Sequence, residues 1–118
     1  MNTYIKIVLA IFALVLTSHT MASSSEAAFN RKLEQAQNGD AEAQYDIGYR
    51  YEKGRGVDED EDTAFDWYRK SAGQGVGKAQ YKVGVFYLKG SSVDKDLEVA
   101  KVWLEKAADQ GYPPAQYQ

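Results

Sequence analysis

Five consecutive acids, Asp-Glu-Asp-Glu-Asp at 58–62, form the first stretch whose residue types suggest chemistry. Asp58, Asp60 and Asp62 alternate as the opening ligands of a calcium loop do. Such a loop next needs a Gly for its sharp turn, then a Glu seven places after the third acid to close the oxygen shell. Thr63 and Arg69 stand at those places, so the pattern fails. The run reads instead as a helix start, with Asp60 as N-cap and acidic neighbours suited to the positive end of the helix dipole. Asp94, Asp96 and Glu98 repeat it further on, as a cap would.

Other chemistries have less to work with. The chain has no cysteine and a single histidine, His19, so no Cys-His or Ser-His nucleophile and no usual zinc set is expected outside the leader described next. A glycosidase needs only two carboxylates across a cleft, but no spacing singles out such a pair. The chain is therefore expected to be no enzyme and to carry no cofactor or metal.

The N-terminus places Lys6 before an apolar run from Ile7 to Leu16, followed by the small and polar residues of TSHTMASSS. That arrangement describes a secretory signal peptide over 1–22, cleaved after Ala22. The run is well short of the ~20 residues a membrane-spanning helix needs. An uncleaved anchor or a buried helix are the alternatives. Cleavage removes His19 and Lys6, leaving 13 Lys and Arg against 17 Asp and Glu, a balance of −4. The expected location is periplasmic or secreted, with no membrane attachment after cleavage. A domain without disulfides must hold itself by packing alone. Mild acidity without a basic cluster argues against a nucleic-acid partner, since there is no excess of cations to displace counterions.

Sliding the chain by 36 residues superposes Ala43-Gln44-Tyr45 on Ala79-Gln80-Tyr81 and Ala115-Gln116-Tyr117. It also aligns Gly48 with Gly84, Tyr51 with Tyr87, Gly54 with Gly90, Asp60 with Asp96, Trp67 with Trp103 and Gly75 with Gly111. Upstream, Ala28, Phe29, Ala36 and Gly39 fall on Ala64, Phe65, Ala72 and Gly75. The organisation is thus a leader (1–22), a worn half-unit (23–39), two full units (40–75 and 76–111) and a stub of a third (112–118). Periods of this size mark stacked-repeat proteins, whose units bury their apolar faces only against neighbours.

Each unit reads as two helices. Ala43, Ile47 and Tyr51 recur at helical spacing in the first, which ends at Gly54. Gly48 and Gly84 lie mid-helix, where glycine costs about 1 kcal/mol relative to alanine. An expense repeated at one position predicts close approach of another backbone, from a stacked neighbouring helix. Ala64, Trp67, Tyr68, Ser71 and Ala72 form the stripe of the second helix, echoed by Ala100, Trp103, Leu104, Ala107 and Ala108. Each Trp is expected to fill the hollow above an alanine of the adjoining helix, and Tyr51, Tyr87, Trp67 and Trp103 are expected in the core.

The stretch AEAQYDIGYRYEKGRGVDEDEDTAFDWYRKSAGQG closely resembles the Sel-one-like repeat, a relative of the tetratricopeptide repeat. The shared pattern is an Ala, a hydrophobic-Gly pair, a Tyr, G-x-G-V, an Asp, an Ala, a Trp-Tyr pair and a closing Ala-x-x-Gly. The first unit departs at Ser71, where Ala is usual. The second departs at Ser92, where the second loop glycine is expected, and at Leu104, where Tyr is. The resemblance implies an all-α fold, a short right-handed solenoid of two-helix repeats. It further implies a non-catalytic scaffold that presents a concave helical groove to a protein partner. An immunity-type inhibitor of an exported toxin is one alternative. A cell-wall-linked hydrolase is another, though the absence of cysteine weighs against it.

In two-helix repeats the first helices line the concave surface, and positions that change there between units are the ones that meet partners. Asp46 becomes Lys82, Tyr49 becomes Val85, Arg50 becomes Phe86 and Glu52 becomes Leu88. The expected partner-binding residues are Asp46, Tyr49, Arg50 and Lys53 in the first unit and Lys82, Val85, Phe86 and Lys89 in the second. For Phe86 an ordinary core position is the competing reading. The stub leaves three readings open: Tyr117 packs over the last helix, the open C-terminal end docks against a second copy or a partner, or a longer array continues beyond it.

Overall fold

The computed structural model describes residues 24–112; the leader read at 1–22 and residues 113–118 of the stub lie outside the described residues. All the secondary structure among the described residues is helical. Helix α1 covers 24–37, and α2 (Ala41–Lys53), α3 (Glu61–Gly73), α4 (Gly77–Lys89) and α5 (Leu97–Asp109) follow. Each helix packs on the next in the chain, so the layers stack in sequence order. This is the all-α repeat architecture that the 36-residue period implies.

The helix ends are built as the residue types dictate. Asp60 Oδ1 accepts from the Thr63 N–H at 3.0 Å and Asp60 Oδ2 from its hydroxyl at 2.8 Å, while Asp96 Oδ1 accepts from the N–H groups of Glu98 and Val99. These side chains satisfy donors that the first turn leaves free. Asp40 caps α2 in the same way, through the Ala43 N–H at 2.9 Å. Its counterpart at α4 is Val76, which has no capping bond and packs against the core instead. Gly54 and Gly90 end α2 and α4 in the left-handed conformation, at φ 67° and 71°. Both seven-residue loops then close alike, with Asp60 N–H donating to the Tyr51 carbonyl and Asp96 N–H to that of Tyr87. Ser92 keeps the loop shape that glycine gives in the first unit, holding φ 59° where Gly56 holds 75°.

Two apolar clusters run into each other along the stack. Phe29 and Ala36 of α1 meet Ala43 and Ile47 of α2; Ala64, Phe65, Tyr68 and Ala72 of α3 meet Ala79, Val83 and Phe86 of α4. Tyr51 borders both. The period extends to ring geometry: Phe29 meets Tyr51 edge-on at 5.7 Å, and Phe65 meets Tyr87 edge-on at 5.8 Å. Full burial of side chains such as Ile47, Tyr68, Val83 and Leu104 stabilises the stack by about 1.5–3 kcal/mol each.

Two packing expectations need correction. Gly48 and Gly84 do allow close approach, but chiefly of a side chain, and from the second helix of the same unit. A Cβ at Gly48 would lie 2.8 Å from the Tyr68 ring and 3.2 Å from the Ala64 carbonyl oxygen. At Gly84 it would lie 2.6 Å from Leu104 Cγ and 3.3 Å from the Ala100 carbonyl oxygen. The large residue that fills the gap is therefore Tyr68 or Leu104, not the neighbouring Trp. Trp67 and Trp103 sit half-buried at the core border, each with a lysine three residues on over its ring, Lys70 at 4.4 Å and Lys106 at 4.7 Å.

Polar side chains stitch the units. The Gln44 carboxamide, almost wholly buried, donates to the Ala36 carbonyl at 3.1 Å and accepts from Gln74 Nε2 at 2.8 Å; Gln74 also donates to the Gly39 carbonyl. One unit later Gln80 donates to Ala72 and accepts from Gln110, which also donates to Gly75. Ser71 uses its extra hydroxyl to donate to the Ala41 carbonyl at 2.7 Å.

Gly48→Ala and Gly84→Ala are expected to lower the unfolding free energy by about 1–3 kcal/mol, overpacking outweighing the gain in helix propensity. Gly73→Ala, where a Cβ meets nothing within 4 Å, is expected to raise it by up to about 1 kcal/mol. Ser92→Gly relieves a left-handed residue and is expected to raise it by about 1 kcal/mol. Urea unfolding of the four variants checks all of these.

Candidate functional site

The first helices α2 and α4 lie side by side across the unit boundary and are tied by charge. Lys78 Nζ lies 2.8 Å from Glu42 Oε2, and Lys82 Nζ lies 2.8 Å from Glu52 Oε1. The second pair is the better shielded, its side chains 25% and 17% exposed. Lys53 adds a longer contact to the same carboxylate, at 3.5 Å.

Beneath this pair lies Tyr68, fully buried, with Lys82 Nζ 5.7 Å from its ring centre and the Tyr45 ring 5.4 Å away. Its hydroxyl lies near the Glu52 carboxylate and feels its charge, but meets no partner within strict hydrogen-bond geometry. Burial pushes the Tyr68 phenol far up, and the Glu52 charge adds to this. Burial opposes the Glu52 charge as well. The Lys82 hydrogen bond and charge, the nearby Tyr68 hydroxyl and Lys53 together outweigh it and hold the carboxyl below its ordinary value of 4.5.

Along this seam runs a groove of about 310 Å³, lined by Glu52, Lys53, Glu59, Glu61, Lys82, Val85, Phe86, Lys89 and Ser91. Of the residues expected to meet a partner, Lys53, Lys82, Val85, Phe86 and Lys89 come together here. Phe86 is foremost a core residue, 5% exposed, its ring against Phe65 at 5.2 Å and Tyr68 at 6.1 Å. The other three lie elsewhere. Asp46 contacts Lys32 of α1 at 3.8 Å. Tyr49 packs on the core with Arg55 over its ring at 5.2 Å. Arg50 is half-buried, its guanidinium close to Gly56 and its Nε enclosed without a partner. Glu52 was visible in the sequence as a position that changes to Leu88. Glu59, Glu61 and Ser91 also differ from their counterparts Lys95, Leu97 and Arg55, but a change in a loop does not separate a groove-facing side chain from a solvated one.

Among the described residues, no group of three or more His, Cys, Asp or Glu is placed to hold a metal ion, and no helix is long and apolar enough to cross a membrane. The family model described as Sel1 repeat matches residues 41–76 and 77–112. The chain belongs to the Sel1 repeat family. Two solved Sel1-type structures are similar to it. One is a Sel1 repeat protein from Oxalobacter formigenes, 36% identical over 85% of this chain and 41% of its own, with a TM-score of 0.69. The other is a protective antigen present in uropathogenic Escherichia coli strains that displays an SLR fold. It is 37% identical over 71% of this chain and 18% of its own, with a TM-score of 0.67. The chain thus spans less than half the length of either. No curated protein matches it. Sel1 repeats generally mediate protein–protein interaction, and the family is typically a non-catalytic scaffold. The repeats matched in this chain begin one residue after the units read from its internal period.

Because the Glu52 carboxyl titrates lower in the folded chain than unfolded, its contribution is complete above about pH 4.5 and is lost as pH falls through the folded value. Glu52→Gln is expected to reduce stability at pH 7 and to flatten the acid side of the stability profile relative to the parent. Urea unfolding between pH 3 and pH 7 measures both.

Proposed function

We propose that this chain is an exported adaptor that presents the α2–α4 groove to a protein partner and performs no chemistry itself. The observation that carries the reading is the gathering, in one groove, of Lys53, Lys82, Val85, Phe86 and Lys89 with Glu52 beside them. Of these positions, those of Glu52, Lys82, Val85 and Phe86 hold a different residue in the other unit while the frame stays fixed. A rigid frame carrying varied side chains on one face is the arrangement repeat scaffolds use to select partners. Arg, aromatic and shielded charged residues supply most of the energy of such contacts.

Export rests on the leader, Lys6 followed by Ile7 to Leu16, with a mature chain free of cysteine in the periplasm or outside the cell. The groove, rather than the outward face of the second helices, is the docking surface.

Photoprobes at Lys53 and Val85, with controls at Lys70 and Glu105 on the second helices, test the reading in periplasmic extract. The groove positions are expected to capture one protein, identified by mass, and Lys82→Glu is expected to abolish the capture. Capture from the control positions alone would sink the adaptor reading. A captured toxin that is silenced in a stoichiometric complex would narrow the adaptor to an immunity-type inhibitor.

A further inference from the structure

The two loops that follow the first helices serve as an internal control for what the fold requires. Both begin with a left-handed glycine, both close on a tyrosine carbonyl, and both cap the next helix with an aspartate, Asp60 or Asp96. Aligned at the 36-residue period, 58–62 reads Asp-Glu-Asp-Glu-Asp and 94–98 reads Asp-Lys-Asp-Leu-Glu. The cap and its flanking acids survive. The two acids that do not, Glu59 and Glu61, become Lys95 and Leu97, and they are the two that line the groove. Neither Glu59 nor Glu61 has an ion pair among the described residues. The second unit builds the same loop and cap without them, so the loop geometry does not require them, and both stand exposed in the groove lining.

The same lining carries the other sign as well. Lys53 and Lys82 share the Glu52 carboxylate, and Lys89 has no counter-ion among the described residues. Val85 and the largely buried Phe86, on the same helix as Lys82 and Lys89, add the apolar part of the lining. Behind Glu52 the enclosed Tyr68 hydroxyl stands without a hydrogen-bond partner, on the groove side of the core. A single-signed occupant fits badly, because the lining carries charges of both signs and some of them would meet it with like charge. Glu59 and Glu61 likewise repel a nucleic-acid backbone.

Building on the adaptor reading, we propose that the groove accepts an extended segment of the partner protein in which an apolar side chain lies between one basic and one acidic residue. The apolar group rests on Val85 and Phe86, the basic group faces Glu59 and Glu61, and the carboxylate faces Lys53 and Lys89. At an exposed groove the charges set orientation and selectivity more than raw affinity, and their effect falls with added salt.

The test uses the purified chain and four acetylated, amidated heptapeptides that carry Arg-Leu-Glu, Glu-Leu-Arg, Arg-Leu-Arg or Glu-Leu-Glu between glycines, followed by amide chemical shifts. One mixed-sign peptide is expected to shift residues 59–61 and 82–89 and to bind about tenfold more tightly than either single-sign peptide, on the scale of a close charge pair. The double variant Glu59→Lys with Glu61→Leu installs the second unit's residues. It is expected to erase that preference while the chain stays folded, because Asp60 still caps α3. The charge rule is overturned if no peptide binds, if single-sign peptides bind equally well, or if the double variant keeps the preference. Photoprobe capture at Lys53 and Val85 is scored separately. Capture without a mixed-sign preference leaves the adaptor reading standing and removes only the charge rule, and a mixed-sign preference without capture does the reverse.

Discussion

The distance between the two helices of a unit governs everything else in this chain. Bare backbone at Gly48 lets the Tyr68 ring lie against α2, and Gly84 does the same for Leu104 against α4. Each glycine gives up about 1 kcal/mol of helix propensity. That is offset by full burial of the large side chain it admits, at about 1.5–3 kcal/mol. Once Tyr68 is seated, its ring is also the surface on which the next unit lands, through Phe86 on one side and Lys82 on the other. A closely spaced pair inside the unit thereby fixes the position of the first helix that follows, and so the depth and lining of the groove.

The two units solve the same packing problem with different chemistry. In the first, Tyr68 brings a hydroxyl into the core and Glu52 and Lys82 form a shielded ion pair above it. In the second, the corresponding positions hold Leu104 and Leu88. The change at both places is coherent. A carboxylate held over a leucine would lose the lysine contact and the nearby dipole that keep it ionised, whereas two leucines need neither. The polar version carries a cost, an unsatisfied hydroxyl in the interior of the kind that natural cores mostly avoid. It is found where the two full units meet, beside the groove.

The sequence made some of this legible and hid the rest for a definite reason. Helix ends were readable because they depend on single residue types in local geometry: Asp60 and Asp96 as caps, Gly54 and Gly90 in the left-handed region. The Sel1 family was readable because its pattern is a string of such positions. Asp40 as a cap escaped notice because Val76, one period later, broke the echo that drew attention to the others. Depth was not readable, since helical spacing tells which face is apolar but not whether Trp67 or its neighbour Tyr68 goes to the bottom. Long-range polar contacts were the least readable. The bonds from Lys82 to Glu52, Gln74 to Gln44, Gln110 to Gln80 and Ser71 to Ala41 all join residues 30 apart. Alignment at 36 superposes like with like, whereas the structure pairs unlike positions. For the same reason Phe86 and Arg50, equivalent by alignment, do quite different work.

The glutamine links have a sense of direction. In each, the later residue gives the proton and the earlier one receives it: Gln110 to Gln80, Gln80 to Ala72, Gln74 to Gln44, Gln44 to Ala36. No link runs the other way, so the stitching is a one-way seam. A unit's leading edge offers amide donors and its trailing edge offers carbonyl acceptors. Each unit therefore reads the one before it in the same sense, and the seam gives the stack a polarity along its length.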